Sequence, residues 1–167
     1  DDDGFDFDQG YTGTLSNALS LADYNSTHST SKGNPDSNGI ELDNNAAGAS
    51  TALLTHPTIN NLTIVGVKNT TDGNLFKSGI LVRRNGQLTL NDAVVTGYPT
   101  GIKVEGTGSQ LFATNWNLVK THGFTAAATG AGTANIPAAN LATGTPAATW
   151  GISQPFFNRG AWNVSPR

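Results

Sequence analysis

Two groups of residues in this chain have the types and spacing to do chemistry. The first is the acidic opening, DDDGFDFDQGYTG, in which Asp1, Asp3, Asp6 and Asp8 crowd carboxylates together. Such groups repel unless solvated or bridged by a cation, and hard oxygen donors at this spacing suit Ca²⁺. These four aspartates are therefore the candidate metal ligands. The segment resembles part of a calcium loop, but no glutamate stands at the distance an EF-hand requires. The alternative is a solvated acidic turn leading into a strand, with Phe5 and Phe7 on one face and Asp6 and Asp8 on the other. The second group is Glu41, Asp43, Arg83, Arg84, Lys103 and Glu105, all beside recurring Gly-Ile phrases. Carboxylates with Arg or Lys suit work on sugars, but a glycosidic bond needs two carboxyl groups converging at a defined separation. Glu41 and Lys103, two repeats apart, read more simply as a solvated outer surface. No catalytic residue is assigned.

Other reactive types are sparse. His28, His56 and His122 fit no metal-ligand spacing and are expected in loops or turns. No serine sits in a Gly-x-Ser-x-Gly context, and cysteine is absent, which removes thiolate sites and disulfides. Trp116, Trp150, Trp162 and Tyr98 offer flat area on which a sugar could stack, although packing at the end of the coil explains them better.

The elements that must position these residues recur. Gly79-Ile80-Leu81-Val82 and Gly101-Ile102-Lys103-Val104 are copies of one phrase 22 residues apart, and Gly39-Ile40-Glu41-Leu42 is a third copy 40 residues before Gly79. Between the later two runs a second phrase, Leu88 to Gly97, which echoes Leu62 to Gly66 and more faintly Leu15 to Ser20. A period in the low twenties, made of short β-type runs closed by Gly or Asn, is the mark of stacked coils. Ile80/Val82, Leu88/Leu90 and Ile102/Val104 would point inward, and Gly79 and Gly101 would let the backbone turn sharply. Asn85-Gly86 is a hairpin signal, so a hairpin-rich β-fold is the structural alternative.

Length predicts one domain, and 37% apolar with 20 glycines and only 13% charged residues predicts an all-β chain with many turns. Net charge is −3 with scattered basic residues, which gives no reason to expect nucleic acid as a partner. No apolar run is long enough to span a bilayer. The chain lacks methionine and starts at Asp1-Asp2-Asp3, so a fragment or processed product is expected.

Asp1 to Gly13, Ser37 to Asn45, His56 to Gly66, Gly79 to Gly106 and, late in the chain, Pro155 to Trp162 together resemble a family of secreted Bacteroidetes proteins. These are large extracellular or surface proteins, often carrying a signal for type IX secretion, with pectate-lyase-like architecture. The resemblance implies a right-handed parallel β-helix and supplies no catalytic residues to carry over. The expected fold is an all-β parallel β-helix (solenoid) fragment, with coils over 1–119 and insertions near 23–38, 44–57 and 68–77. Residues 120–167 are expected to form an irregular, aromatic-rich C-terminal cap, with a helical turn near Pro137 to Leu141. The expected function is a non-catalytic extracellular or cell-surface structural module for adhesion or assembly, with other protein chains as partners. A polysaccharide-binding or polysaccharide-cleaving protein is the alternative, and Ca²⁺ is the only cofactor considered.

Overall fold

The computed structural model describes residues 3–23, 25, 27–49, 53–67 and 75–144. Its strands are β1 (Phe5–Phe7), β2 (Thr14–Leu21), β3 (Thr30–Ser31), β4 (Asn34–Pro35), β5 (Ile40–Asp43), β6 (Thr58–Val65), β7 (Ser78–Arg83), β8 (Gln87–Val104), β9 (Gln110–Phe112), β10 (Val119–Thr129) and β11 (Leu141–Thr143). All pair in parallel except β3 with β4, which form a small hairpin in the excursion after β2. Parallel pairing between every strand and the equivalent one a turn later makes the chain a parallel β-helix.

The coils have three walls. The first stacks β1, β5, β7, 100–104 of β8 and 126–129 of β10, and Phe5, Ile40, Ile80 and Ile102 lie rung over rung within it. The second stacks 14–16, 58–60, 87–91 and β9. The third stacks 18–21, 62–65, 93–96, 119–123 and β11. Between the second and third walls the pairing skips Asn17, Asn61 and Asp92, which share a left-handed backbone with φ of 58°, 60° and 64°. Short polar side chains tolerate that conformation best after glycine, so they stand at the corner.

Alternation along each wall sends one side chain in and the next out. Ile40, Leu42, Ile59, Leu62, Ile64, Ile80, Val82, Leu88, Leu90, Val95 and Ile102 are buried within one continuous core. Burying each such aliphatic side chain stabilises the fold by about 1.5–3 kcal/mol, so most of the cohesion between rungs comes from these inward columns.

The repeated glycines have a reason other than the sharp turn expected of them. A Cβ on Gly4 would lie 2.7 Å from the Gly39 carbonyl oxygen, one on Gly39 2.5 Å from that of Gly79, and one on Gly79 2.7 Å from that of Gly101. The glycines stack on one another, and what they provide is closeness. Asn85-Gly86 does sit in a tight turn, with Arg84 and Asn85 at positive φ and Gly86 N–H bonded to the Arg83 carbonyl at 2.9 Å. The chain leaves that turn along the next wall and does not fold back as a hairpin.

The segment after 119 requires a correction. In place of irregular chain, β10 continues the third wall, crosses at Gly123 and returns to the first wall at Ala126. Ala, Thr and Gly fill this rung because only small side chains fit: a Cβ on Gly123 would meet the Ala126 backbone and the Gly101 nitrogen. A 3₁₀ turn does form at Ala138–Asn140. The aromatic cap expected from Trp150 to Trp162 lies outside the described residues.

Candidate functional site

The charged residues singled out from the sequence meet on the outer side of the first wall. Glu41, Leu81 and Lys103 occupy consecutive rungs at one position, and Asp43 and Arg83 occupy another. Glu41 and Lys103 do not pair, because the buried Leu81 separates them. Arg83 is the hub instead. Its Nε donates to Asp43 Oδ1 at 2.9 Å and its Nη2 to Asp43 Oδ2 at 3.3 Å, while Nη2 also reaches Glu41 Oε1. Arg84 Nη1 donates to Asp43 Oδ2 at 2.7 Å. Asn38 Nδ2 donates to Glu41 Oε2 at 3.2 Å, and the Asn38 backbone N–H donates to Asp3 Oδ1 at 2.7 Å. Lys103 and Glu105 form a separate, half-exposed pair at 2.6 Å.

The side chains of Arg83, Glu41 and Asp43 are 16%, 13% and 11% exposed, so their charges interact through a poorly screened environment. Burial raises the Glu41 carboxyl to about 7, with Asp3, Asp43 and Asp36 adding to the rise. Arg83 pulls the other way, and its contact alone would argue for a depressed value; loss of hydration is the larger effect. The Arg83 guanidinium is pushed above its usual value: burial opposes this most, and the hydrogen bond it donates to Asp43 with the charges of Glu41, Asp43 and Asp36 overcomes it.

Beside this cluster, Gly48, Arg83, Arg84, Glu105 and Thr107 border a surface depression of about 540 Å³. A smaller cavity of about 290 Å³ is lined by Asp3, Ser20, His28, Ser37, Asn38 and Tyr98. There His28 Nδ1 lies 3.0 Å from Ser37 Oγ and Nε2 lies 2.8 Å from the Asp23 carbonyl oxygen. That carbonyl must accept from Nε2–H, and Nδ1 shares a hydrogen bond with the serine hydroxyl. The ring also packs on Phe76 at 4.4 Å. This fastens the excursion after β2 to the coil.

The acidic opening is partly described. Asp3 is taken up by Asn38, and Asp6 and Asp8 are exposed at the rim of a depression shared with Phe7, Tyr11 and Leu15. Among the described residues no three carboxylates or imidazoles gather as a metal site. Asp1 lies outside them. A calcium ion held by Asp1, Asp3, Asp6 and Asp8 would make the melting temperature sensitive to EDTA, and identical melting with and without chelator would dispose of it.

His28 and His56 lie outside the strands of the coil, as expected, but His122 does not. It is a buried residue of β10, with Nδ1 3.1 Å from Thr96 Oγ1 and 3.4 Å from the Gly97 nitrogen, and Nε2 2.6 Å from the Gly144 carbonyl oxygen. Tyr98 is fully buried and packs edge-on against Phe76, so it is core. Trp116 is partly buried against the core, while Trp150 and Trp162 lie outside the described residues.

Sequence reading passed over the outer side of the second wall. Thr14, Thr58, Thr89 and Phe112 form one outward column, and Ser16, Asn60 and Asn91 form the next. The second column is laced together: Asn60 Nδ2 donates to Ser16 Oγ at 3.4 Å, and Asn91 Nδ2 to Asn60 Oδ1 at 3.0 Å. Thr114 Oγ1 donates to Asn91 Oδ1 at 2.6 Å. His56 stacks on Phe112 at 5.3 Å and its Nε2 lies 2.9 Å from Thr89 Oγ1. The signal was present as Thr-x-Asn at 58–60 and 89–91, one position before each corner residue.

Residues 1–151 match the family model described as a pectate-lyase-like β-helix domain. No curated protein and no solved structure matches the chain.

Proposed function

We infer that this chain, which belongs to the pectate-lyase-like β-helix family, is a non-catalytic extracellular or cell-surface module serving adhesion or surface assembly. The observation that carries this reading is the engagement of the carboxylates on the first wall. Asp43 accepts three guanidinium N–H bonds, Glu41 takes Arg83 and Asn38, and Glu105 takes Lys103. Cleavage of a glycosidic bond asks for carboxyl groups turned toward a sugar, one to give a proton and one to attack or activate water. Bound to arginines of the next rung, Glu41 and Asp43 act as staples between coils, while Glu105 is held by Lys103 within its own coil. No described helix is long and apolar enough to cross a membrane.

A screen for turnover tests the reading. Incubation with polygalacturonate, xylan and mixed-linkage β-glucan is expected to release no new reducing ends or unsaturated products. Product that disappears in Glu41→Gln or Asp43→Asn would overturn it. Polysaccharide binding without cleavage is the second reading, favoured by the family and by the uncharged columns of the second wall.

A further inference from the structure

We propose that the outer side of the second wall binds an uncharged, extended β-1,4-linked glycan lying along the axis of the coils. The inference rests on the polysaccharide-binding reading above and assigns it a face and a ligand class.

Three features of this wall converge on that ligand. Its two outward columns carry hydroxyl, amide and phenyl groups and no formal charge, and burial pushes the adjoining His56 below its usual value, favouring its neutral form. A uronate polymer finds no cation here, whereas a neutral chain keeps its hydration balance by exchanging water for amide and hydroxyl partners. The charged first wall, by contrast, has already spent its ions on one another.

The second feature is spacing. Adjacent rungs of a sheet lie about 4.8 Å apart, close to the advance of one sugar residue in an extended β-1,4 chain. Asn60 and Asn91, on neighbouring rungs, thus present the same group once per sugar. A coiled α-1,4 glucan has no such match.

The third is order. Each of these amides uses one N–H within the ladder, Asn60 toward Ser16 and Asn91 toward Asn60, and an amide carries two. The remaining N–H is held in place before any ligand arrives, which lowers the entropy lost on binding. At the end of the neighbouring threonine column Phe112 is 40% exposed and backed by the His56 ring. A fixed aromatic face of this kind takes the C–H side of a sugar ring.

The test is calorimetric titration of the whole chain with cellohexaose, alongside maltohexaose and a galacturonate hexamer. Cellohexaose is expected to bind and the other two are not. Phe112→Ala and Thr58→Lys, both outward-facing substitutions, are each expected to weaken binding at least tenfold while leaving the melting temperature and far-UV spectrum in place. Asn91→Asp, a near-isosteric change that brings charge into the ladder, serves as a second probe should either variant melt early. Absence of cellohexaose binding, equal binding of maltohexaose, preference for the galacturonate, or full affinity in folded Thr58→Lys would each overturn the proposal. Release of cleaved sugar would instead count against the non-catalytic reading, so the two failures are separately visible.

Discussion

Glu41 and Asp43 face Arg83 across one rung step, and their energetics follow from how little water reaches them. Removing Arg83 takes away the guanidinium the two poorly hydrated carboxylates share, leaving Asp43 to Arg84 and Glu41 to the neutral Asn38 amide, which costs about 3 kcal/mol at this burial. Arg83→Met is expected to lose about that much in a urea unfolding experiment. Lys103→Met, whose pair with Glu105 is 38% and 40% exposed, is expected to lose less than about 1 kcal/mol. A folded-state value near 7 for Glu41 lies above the roughly 4.3 of an unfolded glutamate. The folded chain therefore holds that proton longer, and Glu41 withdraws stability as pH rises from about 4 to about 7. Glu41→Gln should remove this slope, gaining on the parent at pH 8 and matching it near pH 4. Unfolding midpoints measured across that range check the sign. The sequence named these residues as a group and could not show their partners. Pairing depended on Asp43 and Arg83 standing in register on adjacent rungs, 40 residues apart, across an insertion whose length no local pattern fixes.

At the level of elements, the in-phase glycines were legible and their purpose was not. Spacing revealed that Gly39, Gly79 and Gly101 recur, but only the stacked backbones show that a methyl group at one meets the carbonyl of the next. Gly79→Ala, which would also press on the Val95 side chain, is expected to destabilise by about 2–4 kcal/mol, at the upper end of overpacking costs. Differential scanning calorimetry would register it as a lowered melting temperature. β10 escaped the sequence reading for a related reason. Its rung is made of Ala126, Ala127 and Ala128 beside Gly123, so the apolar alternation that exposes Ile80 and Val82 is too faint to see. Within that strand burial lowers the His122 value, and the ring is held neutral between Gly97 N–H and the Gly144 carbonyl. An unfolded histidine takes a proton at about 6.5. His122 thus contributes stability in full above that pH and loses it as pH falls below. His122→Gln should flatten the acid side of the stability profile, and amide exchange at Gly97 would report the same loss locally.

On the scale of the whole molecule, each rung touches only its neighbours, so stability is a chain of nearest-neighbour terms along one axis. The parallel β-helix was readable because its inward columns are large and its corner residues are Asn, Asp or Gly. The second wall's outward face was not, since Thr and Asn are common in turns and their value here comes from being stacked. The same logic separates the first wall, where charges bind coil to coil, from the second, whose groups remain turned to solvent. The claim that the first-wall carboxylates hold rungs together is tested most directly by a double-mutant cycle on unfolding free energy, using Asp43→Asn, Arg83→Met and the pair. A coupling energy of about 1–3 kcal/mol is predicted. A coupling near zero would contradict it.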